Sequence, residues 1–335
     1  MKAKLKTILP VLAMILLIIN PATATIAISE GLDLCLRVII PSLFPYFFIT
    51  ALLNSTLTGM HIPGLHHLCK FLKIPNGGES LIILGLLGGY PVGAKMIGDA
   101  YKDGTLEEES ARRMLSYCSN AGPAFIFGIA GSLFPSVLYP CLLWGIHILS
   151  ALLTGLMLPK PEQQSIHLYA ANQTTATQAL QNSIRVTAIV CGWILIFKVI
   201  LAYIYFATDW LNLSRFNVYI GGIVELSNGC VQLTQLRSSA LRFILCCAFL
   251  AFGGLCILLQ TISVINGLGI RFYLLGKLIQ LGISIILGST TALILFHDFD
   301  ISPLLCSVLL IICTLIFIIR RKYIKMCGNF AHNTV

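Results

Sequence analysis

Leu86-Leu87-Gly88-Gly89-Tyr90-Pro91-Val92-Gly93-Ala94-Lys95 interrupts a long apolar stretch with the residues a membrane helix should avoid. Ser119-Asn120-Ala121-Gly122-Pro123-Ala124-Phe125-Ile126-Phe127 does the same further along. In hydrocarbon every peptide N–H and C=O needs a partner, so unwound backbone persists only where protein buries it or it lines a cavity. A helix broken there presents free N–H groups and the positive end of its dipole to whatever occupies the break. Transporters hold anionic solutes and ions in this way near the bilayer midplane. The two stretches therefore predict a solute-handling membrane protein and not a simple anchor.

Composition agrees. Of 335 residues, 57% are apolar and only 10% charged, against about 25% charged in a soluble domain. The net charge of +9 forms no nucleic-acid patch. Its cations cluster at Lys2, Lys4 and Lys6, at Arg112 and Arg113, and at Arg320, Arg321, Lys322 and Lys325, all beside apolar runs. Cations so placed hold their loops on the cytoplasmic side, and an even number of crossings follows if both termini lie there. The twelve cysteines sit mostly within or beside apolar segments with no Cys-x-x-Cys pair, which makes them small apolar fillers. His61, His66, His67 and Cys69 fit no usual zinc spacing and read as a polar connecting loop, so no metal and no cofactor is expected.

Runs long enough to cross, at ~20 residues each, occupy 7–28, 36–58, 137–158, 187–208, 273–296 and 301–319, with broken runs at 80–98, 114–134, 216–236 and 243–265. The first resembles a signal peptide, ending in Pro21-Ala22-Thr23-Ala24, but apolar character continues through Ile26-Ala27-Ile28 and favours an uncleaved span. Between the first two breaks, Asp103-Gly104 makes a turn and Thr105 with Glu108 reads as a capping box. The expected fold is an all-α polytopic membrane protein of roughly eight to ten transmembrane or re-entrant helices. Its divisions are an N-terminal segment at 1–30, a first half at 31–158, a polar linker at 159–181, a second half at 182–296, and a C-terminal span with a basic tail at 297–335. The halves overlay loosely: Arg37-Val38 and Arg185-Val186 each open a span, and each half then carries two Gly-containing breaks, at Glu225-Leu226-Ser227-Asn228-Gly229-Cys230 and Phe252-Gly253-Gly254-Leu255-Cys256 in the second. Broken segments at matching places in two halves point to a transport site.

The candidate solute-binding residues follow from these breaks: Gly89, Tyr90, Pro91, Gly93, Lys95, Ser119, Asn120, Gly122, Glu225, Ser227, Asn228, Gly253, Gly254 and Gln260. Lys95 reads either as counter-charge for an anion or as a lysine snorkelling to the interface beside Asp99. In the first case Lys95→Ala abolishes transport, and Glu225 is the obvious partner of a deep Lys95. Glu225, isolated among apolar residues, would carry a proton, bind a cation or neutralise that lysine. Asn120 and Asn228 can donate and accept, serving a solute or the orphaned helix ends. Gln260 suits a solute or a neighbouring helix, and Tyr90 and Trp193 suit cavity walls or packing. Catalytic elbows, nucleotide loops and metalloprotease motifs are lacking in the sequence, so an enzyme is not expected.

Together with Pro41-Ser42-Leu43-Phe44-Pro45-Tyr46-Phe47 and Phe125-Ile126-Phe127-Gly128, these motifs run in order from Pro41 to about Gly288 and resemble the sporulation integral membrane protein YlbJ (SpoVV) family. The resemblance implies two nucleoside-recognition (Gate) domains similar to parts of concentrative nucleoside transporters. It further implies movement of dipicolinate, a planar dianion, from the mother cell across the outer forespore membrane. Broken-helix N-termini plus a lysine suit such an anion. The expected partners are the lipid bilayer and this small organic anion, with no nucleic acid; a coupling ion and a homo-oligomer stay open. A nucleoside transporter and a non-transporting assembly factor of the spore envelope are the alternatives.

Overall fold

Asn20 caps the N–H of Thr23, and Pro21, which has no N–H to satisfy, takes the first helical position. The apolar run expected at 7–28 is therefore cut here, and its second part joins the next run. The computed structural model describes residues 2–57, 64–72, 74, 78–159 and 174–296. The expected span at 301–319, the basic tail, His61 and most of the linker lie outside these residues.

The described chain is helical: α1 (Lys2–Ile19), α2 (Pro21–Leu34), α3 (Ile40–Leu57), α4 (Leu65–Leu72), α5 (Glu79–Gly88), α6 (Val92–Lys102), α7 (Glu108–Cys118), α8 (Pro123–Phe125), α9 (Leu138–Met157), α10 (Ala176–Trp210), α11 (Asn217–Val224), α12 (Leu226–Gln232), α13 (Ser239–Phe252), α14 (Gly254–Val264) and α15 (Arg271–Leu295). A π-helical turn at Cys35–Ile39 joins α2 to α3, so Pro21–Leu53 forms one apolar span. With Leu138–Met157, Ala176–Trp210, Ser239–Val264 and Arg271–Leu295, five spans among the described residues are long and apolar enough to cross a bilayer. The protein is an all-α polytopic membrane protein.

Three local readings change. The helix after the Asp103-Gly104 turn starts at Glu108 and not behind Thr105, because Thr105 and Leu106 are still non-helical. A complete capping box forms instead between Thr175 and Gln178, starting α10 inside the stretch assigned to the linker. His67 and Cys69, expected in a loop, lie on α4.

Ile196 and Ile200 on α10, like Ile26 and Ile49 on the α2–α3 span, face outward as lipid-facing side chains do. Inside, α15 packs against α7, α9 and α13, while α10 packs against α2 and α3. The buried face of α15 is not apolar. Tyr273, Lys277, Gln280 and Ser284 recur at helical spacing and are all buried. Ser284 donates to or accepts from Ser150 at 2.9 Å, fixing α15 to α9. Arg113, also buried, donates to the Gly155 carbonyl at 2.6 Å and the Pro159 carbonyl at 3.0 Å, which ties α7 to the end of α9.

Candidate solute site at the helix breaks

Each break holds its backbone by close contact with another break. Gly89 adopts φ +74°, and a Cβ on Gly122 would lie 2.9 Å from the Gly89 Cα and 3.1 Å from the Leu87 carbonyl oxygen. The break between α5 and α6 thus touches the break between α7 and α8. Gly253 and Gly254 both take left-handed φ, +80° and +82°, which side-chain-bearing residues avoid. A Cβ on Gly254 would sit 3.2 Å from the Ile223 oxygen and 3.3 Å from that of Val224, so the α13–α14 break rests on the α11–α12 break. Small residues also let each hairpin close: Gly93 packs beside Gly85, and Gly229 packs on Gly222.

The freed backbone groups are partnered individually. Ala121 donates its N–H to His147 Nε2 at 3.0 Å. Glu225, 1% exposed, caps α12 by accepting from the N–H groups of Ser227 at 2.9 Å and Asn228 at 2.7 Å. Asn120 donates to the Tyr117 carbonyl.

At the first pair of breaks stands Lys277 of α15, 1% exposed. Its ammonium donates to the Tyr90 hydroxyl at 2.9 Å, the Ser119 carbonyl at 2.6 Å, Asn120 Oδ1 at 3.3 Å and Gln280 Oε1 at 2.9 Å. Gln280 in turn donates to Asn120 Oδ1 at 2.9 Å. The ammonium also lies 5.0 Å from the Tyr90 ring centre and 5.6 Å from that of Tyr273. Among the described residues no carboxylate pairs with it. A charge at the centre of a membrane helix costs about 3 kcal/mol, and here neutral oxygens alone offset it. Tyr90 carries the network onward, donating to the Leu250 carbonyl of α13 at 3.4 Å.

Six of the residues expected from sequence, Gly89, Tyr90, Gly122, Glu225, Ser227 and Gln260, line one central cavity with Val190 and Ile194 of α10 and Ile39 and Leu43 of the α2–α3 span. Its volume is about 30 Å³, enough for only a water or two at roughly 10–15 Å³ each. Gln260 is buried, and its Oε1 has no hydrogen-bond partner. Ser119 and Asn120 stand behind the cavity through Lys277, Pro91 completes the turn beside Tyr90, and Gly253 faces the Tyr90 hydroxyl.

Lys95 and Asn228 are placed apart from this centre. Lys95, a third exposed, pairs with Asp99 one turn on and lines a second cavity with Thr50, Asp103, Asn182 and Ser183. The deep Lys95–Glu225 pair does not form. Asn228 donates to the Tyr205 hydroxyl at 3.0 Å and lines a third cavity with Glu30 and Lys198. Trp193 packs against Phe197.

Sequence reading passed over Lys277, Gln280, His147 and Lys198, since each falls inside an apolar run treated as a plain span, and over Glu30, which falls between two such runs. A lysine and a glutamine three apart in Lys277-Leu278-Ile279-Gln280 were the available signal, because such residues in a span face the bundle interior.

Broken helices from two stretches of chain meet around a buried cavity in a multi-pass helical membrane protein. No family model matches the chain and no solved structure matches it. The sporulation integral membrane protein YlbJ of Bacillus subtilis (strain 168) is 23% identical over 310 residues, covering 78% of this chain and 76% of that protein. The chain is thus similar over most of its length to a sporulation integral membrane protein.

Proposed function

We propose that this protein is a transporter of a small organic anion, working by alternating access at the broken helices, and that the anion is dipicolinate crossing the outer forespore membrane during sporulation. The observation that carries this reading is Lys277: a buried ammonium with no carboxylate partner among the described residues, touching both breaks of the first half and reaching the cavity through Tyr90. An anion entering the cavity would supply the missing negative charge, and its carboxylates suit the Tyr90 hydroxyl and the backbone N–H groups at the breaks. The cavity measures about 30 Å³, so it would have to widen to hold the solute. The two pairs of breaks would be the cores of two Gate-like halves, Gly122 against Gly89 in one and Gly254 against Ile223 and Val224 in the other. Lys95 would meet the anion at an entrance, and Glu225 and Asn228 would orient or couple it from the second half.

Uptake of radiolabelled dipicolinate and of uridine into proteoliposomes containing the purified protein tests the proposal. Saturable dipicolinate uptake absent from empty liposomes is expected, with uridine taken up at least tenfold more slowly. Preferred uridine uptake would assign the site to nucleosides, and uptake of neither would leave the assembly role in the spore envelope.

A further inference from the structure

The central cavity is flanked by two larger ones, and the same two helical spans border all three. On α10, Ser183 and Val186 line the cavity at Lys95, Val190 and Ile194 the central one, and Lys198 and Leu201 the one at Asn228. These positions follow one another by three or four residues and so share one face of the helix. From Ser183 to Leu201 the helix rises about 27 Å at ~1.5 Å per residue, close to the ~30 Å of bilayer hydrocarbon. The Pro21–Leu53 span repeats the order in reverse: Glu30 lies at the cavity of Asn228, Ile39 and Leu43 at the centre, Phe47 and Thr50 at the cavity of Lys95.

The outer cavities measure about 270 Å³ on the Lys95 side and 330 Å³ on the Lys198 side, near the lower size of small-molecule pockets, ~300 Å³. Both are polar. One holds the Lys95–Asp99 pair, the other a Lys198–Glu30 pair at 3.3 Å. Lys198 and Glu30 belong to spans apolar enough to cross the bilayer, and ionisable residues so placed line water-filled cavities.

We propose that this face of α10 and the facing side of the Pro21–Leu53 span are the walls of a single solute path across the bilayer, with two hydrated vestibules that open to opposite sides and a constriction at the helix breaks between them. The path takes small hydrophilic solutes, and it rests on the transport reading for their identity as organic anions. The vestibules admit the solute; the constriction between Tyr90 and Glu225 has to widen for it to pass. The ion pairs at Lys95 and Lys198 keep each vestibule wet.

The test places single cysteines along α10 and applies a membrane-impermeant methanethiosulfonate from one side of the membrane at a time, reading modification above that of the unsubstituted chain. Asn182→Cys, which lines the Lys95 cavity, is expected to react from one side only, Ala202→Cys, which lines the Lys198 cavity, from the opposite side only, and the lipid-facing Ile196→Cys from neither. Thr174→Cys, just ahead of α10, and Tyr205→Cys repeat the measurement should either first variant be lost from the membrane. Modification of both vestibule positions from the same side, or of neither, overturns the path. Dipicolinate uptake by the same preparations separates the two ideas: flux without opposite-sided labelling removes the path alone, and opposite-sided labelling without flux removes the anion reading alone.

Discussion

Lys277 is a fully buried ammonium held by neutral oxygens, and the transport reading rests on it. Replacing it with methionine removes a buried charge worth about 3 kcal/mol of unfavourable transfer. The same change leaves the Ser119 carbonyl and Gln280 Oε1 without this donor, at about 1–3 kcal/mol each, while Asn120 Oδ1 keeps Gln280 and Tyr90 keeps Leu250. Gain and loss nearly cancel. Lys277→Met should therefore reach the membrane at close to normal abundance and lose at least tenfold of dipicolinate uptake, measured per unit of reconstituted protein. Uptake at the unsubstituted rate would remove the lysine from the mechanism. Lys95 now ranks second: its pair with Asp99 is partly exposed and worth no more than about 1 kcal/mol. Lys95→Ala should slow uptake severalfold without the abolition its position in the sequence suggested.

At the scale of elements, the glycines at the breaks and Arg113 separate two kinds of defect. Gly254→Val puts a β-branched residue at φ +82° against two carbonyl oxygens, which combines left-handed strain of about 1–2 kcal/mol with steric overlap. It should lower the melting temperature in detergent by several degrees and reduce uptake together. Arg113→Ala strips the donor from the Gly155 and Pro159 carbonyls at about 1–3 kcal/mol each. Arg113 lines none of the three cavities, so this variant should also melt earlier, but the surviving protein should keep its KM for the solute. A raised KM would show that the α7–α9 tie shapes the solute site. The breaks were legible in the chain because glycine, proline and asparagine are conspicuous within apolar runs. The start of α10 was less so: Thr175 and Gln178 have the spacing of a capping box, yet they end a polar stretch whose composition outweighed the local signal.

For the whole molecule, the proposed transport requires both halves to act on one cavity. Tyr90→Phe in the first half and Gln260→Leu in the second each remove a single polar function while keeping volume, since the Tyr90 hydroxyl bridges Lys277 to Leu250 and Gln260 Oε1 has no partner. Each should lower dipicolinate content of spores at unchanged protein level, assayed in a strain that lacks the native gene and is complemented with the variant. A protein acting only as an assembly factor would tolerate both, because neither disturbs packing at the surface.

Apolar run lengths, the scarcity of charge and the broken stretches determined from sequence that this is an all-α multi-pass protein. They also pointed to fourteen residues at or near the breaks, of which Gly89, Tyr90, Gly122, Glu225, Ser227 and Gln260 line one cavity, since unwound backbone in hydrocarbon has to be buried or line a cavity. Only the tertiary structure decided which cation stands at the centre. Lys95 and Lys277 look alike as residues in or beside apolar segments, and their difference comes from where α6 and α15 place them: one at a wet mouth beside Asp99, the other among neutral oxygens of distant segments. Sequence spacing specifies the face of a helix. Which helix that face meets depends on packing between parts of the chain more than a hundred residues apart, as with Lys277 and Ser119.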